Sequence, residues 1–398
     1  MCGQWLDQVV VNSKLNCMYI EDGKIHRLLP MGSIPANCTN VWDAQGLLML
    51  PTFTDSHVHL DKGFPQDQWI SRRKVGSILE QFALEKALLA PFSKTLREQA
   101  CQTLNELLSY GTTHLRVHVD IDPDIGLSHV ETILSLKEEF KHCMTMELVA
   151  FPQQGLVRSS SASYVSKALD LGVSIVGGVD PAGVDRDIEA SLKQIFDIAV
   201  SHDAEIDIHL HDPGHLGLFT IERILDYTEQ TDTQGKVTIS HAYCLGELQI
   251  EEVSKLGRRL VQLDVQLITS VPMDSAMPPV SLLKELGVKI RLGTDHTGLD
   301  AWTPFGDADL LNRGRRLAEM NKWHDDESLR STYTFFTSAP LTFHEGDEAN
   351  FILLKALSPE HALSVVPSRE LVCVKGIPVA GKQLSTAWSS LPARSGRE

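Results

Sequence analysis

From about residue 51 to about residue 340 the chain alternates between apolar, β-branched runs and longer stretches of helical periodicity. The runs are Thr52–Leu60, His114–Asp120, Met144–Phe151, Val173–Asp180, Glu205–His211, Lys236–His241, Leu260–Val265 and Lys289–Asp295. Between them lie Leu96–Tyr110, Val130–Phe140, Ile188–Ser201, Phe219–Thr228 and Pro279–Leu286. Glycines at Tyr110-Gly111, Leu171-Gly172 and Leu286-Gly287 mark helix exits before the next strand. Eight strands alternating with helices require a parallel sheet with right-handed crossovers. An open doubly wound sheet is the rival, but no G-x-G-x-x-G follows a strand. A span of roughly 290 residues suits a closed (β/α)8 TIM-type barrel, an α/β fold.

The flanks have a different texture. Val9–Val11, Met18–Ile20 and Lys24–Arg27 are short strands separated by turns, and Phe351–Leu354, Glu370–Val374 and Ile377–Val379 repeat the pattern. Neither flank can bury a face alone. The expected organisation is residues 1–50 and 347–385 joined in one small β-sandwich, the barrel over 51–346, and a flexible tail over 386–398.

Lys and Arg number 36 against 52 Asp and Glu, a net charge of −16, so no basic footprint points to nucleic acid or an anionic membrane. The seven cysteines are widely spaced without C-x-x-C, which argues against a disulfide framework or a cysteine zinc module and for a reducing compartment. Met1–Val11 lacks the pattern of a signal peptide, and no apolar run approaches a membrane span. A cytoplasmic protein is expected. Any metal must rest on the sixteen histidines.

The C-terminal strand ends form the active face of such a barrel. The first run ends Asp55-Ser56-His57-Val58-His59-Leu60-Asp61-Lys62, and His57 and His59 share one strand face. The fifth ends His209-Leu210-His211-Asp212, the sixth Ser240-His241, the eighth Thr294-Asp295-His296. Any one could be a solvated loop edge; four at one topological level point to a metal. Histidine and carboxylate without cysteine suit a catalytic site with a position open for water. Val173–Asp180 holds no lysine to bridge a second ion, so one ion is expected.

These residues, with Asp43-Ala44-x-Gly46 leading into Pro51-x-Phe53-x-Asp55-x-His57-x-His59, resemble the amidohydrolase superfamily from about Asp43 to Lys382. Within it the likeness is to the cytosine deaminase and N-isopropylammelide isopropylaminohydrolase branch. The resemblance implies a barrel with a small β-sandwich and hydrolysis of C–N bonds on small heterocycles. It implies one divalent ion, Zn²⁺ or Fe²⁺, on His57, His59, His209 and Asp295, with His241 orienting the activated water or polarising the carbon–nitrogen bond. Asp295 would also take the water's proton. Ala150-Phe151-Pro152-Gln153 is similar to the run that places a glutamine on the substrate, and Asp300–Gly306 to a tryptophan-bearing loop, here with Trp302. Lys62 and the His209/His211 pair resemble the isopropylaminohydrolase. Asp212 stands where cytosine deaminase has a glutamate, and His296 follows the metal aspartate.

Each assignment has a plainer alternative: a loop anchor for Gln153, loop packing for Trp302, a surface lysine for Lys62. As substrate contacts, Gln153 would meet a ring amide edge, Trp302 would stack, and Lys62 would meet an oxyanion. His211, or Asp212 if the chain turns, would pass a proton to the leaving amine; alternation from His209 favours His211. His118 and Asp120 are either supports for the ligands or a mutually bonded pair, and His129 and His215 are surface residues. The expected partner is a small heterocycle, with neither nucleic acid nor membrane, and the protein is expected to be a homo-oligomer. The expected reaction removes an amino or alkylamino group from a pyrimidine, purine or triazine. The alternatives are hydrolysis of a cyclic or linear amide, and a non-catalytic metal-binding relative.

Overall fold

A computed structural model describes residues 3–388. Its barrel sheet has eight strands, numbered here in chain order: β1 (Phe53–His59), β2 (Thr112–Asp120), β3 (Thr145–Phe151), β4 (Ile175–Val179), β5 (Glu205–Leu210), β6 (Val237–His241), β7 (Gln266–Thr269) and β8 (Ile290–Leu292). Neighbours in sequence are neighbours in space, and every pairing is parallel. The helices between them cover the outside, as buried apolar strands require.

One expected strand is displaced. Leu260 belongs to the helix Ile250–Gln262, whose buried stripe is Val253, Leu256, Gly257 and Leu260. The chain turns at Asp264, where φ is +52, and β7 begins at Gln266. The apolar run was the last helical turn, whose three-to-four-residue spacing a short window reads as strand.

The ring closes between its first and last strands. The Asp295 amide donates to the His57 carbonyl at 2.8 Å, and Val58 bridges Asp295. Gly293 makes the approach possible, since a Cβ there would lie 2.4 Å from the His57 Cβ. Buried Asp55 fastens the seam, accepting from the Thr294 amide at 3.0 Å, the Thr294 hydroxyl at 2.5 Å and the His57 amide at 3.2 Å. Burial raises its carboxyl to about 6, against the pull of those donors.

Both flanks build one separate domain. Its strands run, in spatial order, Ile377–Ala380, Arg369–Val374, Phe351–Leu354, Leu48–Pro51, Gln4–Val11, Lys14–Glu21 and Lys24–Pro30, with Val41–Asp43 beside Gln4–Val11. They are hydrogen-bonded into a single continuous sheet around its own core, which joins Leu6, Val9 and Met18 to Phe351, Leu353 and Leu371. The expected tail divides. Trp388 packs against Trp42 and donates Nε1–H to the Gly376 carbonyl at 2.9 Å, so residues 386–388 are held by the sheet. Residues 389–398 lie outside the described residues. Among the described residues no helix is long and apolar enough to cross a membrane.

Candidate metal centre and substrate cavity

Alternation along β1 and β5 turns His57, His59 and His209 into the barrel mouth, where His241 ends β6 and Asp295 follows β8. His241 and Asp295 have φ of +70 and +61, so both strand ends turn through a conformation that side chains adopt reluctantly. His59 Nε2 and His209 Nε2 face each other at 3.3 Å. Asp295 Oδ1 is 3.7 Å from the Nε2 of both His57 and His59, and Asp295 Oδ2 is 3.9 Å from His241 Nδ1.

Two observations test whether these residues suit an ion. Bonds of about 2.0–2.1 Å to a tetrahedral ion put its ligands roughly 3.3 Å apart, close to the 3.3 to 3.7 Å between these atoms. His57 Nε2 is also buried with no hydrogen-bond partner. Its other nitrogen is spoken for: Nδ1 lies 2.9 Å from Ser240 Oγ, which lies 2.7 Å from Asp207 Oδ1. Asp207 accepts the serine's proton, so Ser240 accepts from Nδ1–H and the Nε2 lone pair is left for a metal. Burial pushes His57 down to about 4 and His59, His209 and His241 well below the ordinary imidazole value. Burial works against Asp295, but His296, His241 and His57 outweigh it and keep the carboxylate ionised. Neutral imidazoles with an ionised carboxylate are the state a cation needs. The residues fit a divalent ion. β4 contributes no lysine.

The centre forms the floor of a cavity of about 940 Å³. One wall carries His211, stacked on His241 with ring centroids 4.7 Å apart. Its Nδ1 meets Asp180 Oδ2 at 2.8 Å. Burial resists charge on His211, but Asp180 outweighs it and raises the pKa above the ordinary value. The Trp302 indole faces His211 at 6.5 Å between centroids, with planes 23° apart.

A model of the amidohydrolase family matches residues 70–349. The chain belongs to the amidohydrolase family. An uncharacterised Escherichia coli K12 protein, YahJ, is 33% identical over 90% of this chain and 80% of its own. N-isopropylammelide isopropyl amidohydrolase of Pseudomonas sp. strain ADP is 28% identical over 83% of this chain and 85% of its own. The crystal structure of N-isopropylammelide isopropylaminohydrolase from Burkholderia multivorans superposes with a TM-score of 0.86 at 29% identity, over 96% of this chain and 99% of that one. This amidohydrolase is a hydrolytic enzyme acting on non-peptide C–N bonds.

The amidohydrolase fold brings Lys62, Gln153 and Trp302 together. Lys62 is buried, not a surface lysine. Its Nζ donates to Glu85 Oε1 at 2.9 Å, to Gln153 Oε1 at 2.5 Å and to Asp120 Oδ2. An ammonium has three N–H groups, so none is left for a ring oxyanion. Burial raises the Asp120 carboxyl to about 7, although Lys62 pulls it down. Asp212 is turned out of the cavity, with Oδ2 accepting from the Gly183 amide at 3.2 Å, so His211 is the group facing inward. His118 and Asp120 are not bonded to each other: neither His118 nitrogen has a hydrogen-bond partner, and its ring lies 3.9 Å from His57. His129 is half-buried rather than on the surface, 3.0 Å from Asp61 Oδ2 through Nδ1; the helix Ser128–Phe140 starts beside the mouth. His215 is exposed and pairs with Glu252.

Three supports carry no motif. Ser240 lies beside a histidine that draws the attention. His296 joins Asp295 to Asp300, with Nε2 3.3 Å from Asp295 Oδ2 and Nδ1 2.7 Å from Asp300 Oδ2. Burial opposes its charge, yet the two carboxylates raise it to about 9. Glu85 sits in the helix Ile78–Leu89, which is not among the helical stretches expected from the sequence.

Proposed function

We propose that this amidohydrolase removes an amino or alkylamino group from a flat nitrogen heterocycle, a pyrimidine, purine or triazine, at the expense of water. The observation that carries the reading is the aromatic wall beside the metal ligands: Trp302 and His211 line one cavity as near-parallel rings, with planes 23° apart and centroids 6.5 Å apart, and Gln153 lines the same cavity. Such a wall gives a flat ring an aromatic surface to pack against, with an amide to meet its edge. The two N-isopropylammelide relatives support it.

Zn²⁺ or Fe²⁺ held by His57, His59, His209 and Asp295 would supply the Lewis acidity that makes a water nucleophilic near neutral pH. The chain does the rest. Trp302 packs against the ring, and Gln153 meets its amide edge. Asp295 Oδ2 takes the proton from the attacking water, with His296 Nε2 beside it to steady the charge. His241 orients the water. As the new carbon–oxygen bond forms and the bond from the ring carbon to the exocyclic nitrogen breaks, His211 Nε2 hands a proton to the departing amine. Asp180 anchors the opposite nitrogen and so fixes the imidazole in place. The free cysteines Cys17, Cys38, Cys101, Cys143, Cys244 and Cys373 support a cytoplasmic setting.

The test is release of ammonia or alkylamine from a panel of aminopyrimidines, aminopurines and aminotriazines, with metal analysis of the same preparation. Turnover of at least one ring by protein holding one ion per chain is expected. Amide hydrolysis with no amine from any ring would move the assignment to cyclic or linear amides.

A further inference from the structure

The helix α1 (Ile78–Leu89) lies over the mouth and buries only two side chains, Phe82 and Glu85. Phe82 joins Phe151, Val179 and Val184 in a small apolar cluster against Trp302. Glu85 is 2% exposed, which a carboxylate accepts only when strongly partnered. Its partners are three residues that line the cavity. Oε1 accepts from Lys62 Nζ at 2.9 Å and Gln153 Nε2 at 2.5 Å, and Oε2 accepts from Trp302 Nε1.

We infer that Glu85 is the specificity-determining positioning residue of this site, clamping Lys62, Gln153 and Trp302 into an edge that accepts a neutral ring with an N–H donor and rejects an anionic ring. The inference rests on the heterocycle reading above. Gln153 cannot flip, because its oxygen faces the Lys62 ammonium and its nitrogen faces the carboxylate. One N–H and one lone pair of that amide remain for a ring, which is the complement of a lactam or amidine edge. No free cation remains there. Lys62 is met by Glu85 and Asp120, and Asp61 lies behind them, accepting from the Asp120 amide at 2.8 Å. Three carboxylates around one ammonium leave an edge that disfavours added negative charge. The anchored indole keeps its plane near-parallel to His211.

Glu85→Gln is the informative change. An amide of the same shape turns an NH₂ group toward one of three donors, so the clamp cannot re-form. For any neutral ring the wild type turns over, KM should rise about tenfold, the size of one hydrogen bond to a charged group, with kcat changed far less and metal content unchanged. Preference for the neutral ring over its carboxylated counterpart should shrink by a similar factor. Glu85→Asp should recover part of the loss. A second readout needs no substrate: the near-ultraviolet circular dichroism difference between wild type and Glu85→Gln should vanish in a Trp302→Phe background. An unchanged KM and preference, a dichroism difference that persists without Trp302, or loss of metal in step with KM would each overturn the inference. If the wild type releases no amine from any ring, the heterocycle reading fails by itself, and the dichroism arm still decides whether Glu85 clamps Trp302.

Discussion

The metal wall of the cavity and the wall opposite it obtain their order from different sources. His57, His59, His209 and His241 stand on strands whose backbone bonds fix their spacing, and Asp295 is tied by its own amide to the His57 carbonyl. Gln153, Trp302 and Lys62 come from a strand exit and two loops, and they are held by one another through a carboxylate on α1. One wall is built by backbone register, the other by side-chain bonding. The two should therefore fail separately: damage to the first loses the ion, damage to the second loses the ring.

The largest test of that separation is His209→Ala. It should abolish amine release and metal retention together, as read by elemental analysis and turnover; near wild-type activity would remove His209 from the centre. Ser240→Ala comes next. Freeing His57 Nδ1 should weaken metal affinity roughly 10–100-fold in chelator competition, while KM of the reloaded protein stays put. Unaltered affinity would mean that the serine does not orient His57. Trp302→Ala acts on the other wall. Loss of stacking worth about 1 kcal/mol should raise KM roughly fivefold with metal content intact, and loss of metal here would break the comparison outright. The smallest effect is expected of Asp212→Asn. Its carboxylate faces the Gly183 amide outside the cavity, so kcat should stay within about twofold. A large fall in kcat would return the proton transfer to Asp212.

The same division explains what could be read from the residues alone. The H-x-H pairs and the Asp295 strand end are legible because strand periodicity converts spacing into direction, and the barrel converts strand ends into one site. Alternation likewise chose His211 over Asp212, and Asp180 is the partner that holds it. Glu85 gave no such sign. A glutamate in Ile78–Leu89 looks like solvated helix surface, and only the packing of α1 across the mouth reveals that its face is buried. Ser240 was hidden for a related reason: it supports His57 from β6, a strand that does not pair with β1, and which side chains meet inside the ring is a property of the closed barrel. Leu260–Val265 shows the converse error, where a helix's apolar stripe ran up to a turn and imitated a strand.

The seam between β1 and β8 has a consequence for how the enzyme comes into being. Asp55 and Thr294, which bolt it, are 239 positions apart, and the ligands His57 and Asp295 sit directly beside that bolt. A growing or partly unravelled chain can present the histidine pair of β1, but the carboxylate arrives only with the final strand. On the proposed ligand set, capture of the ion would therefore require the closed ring.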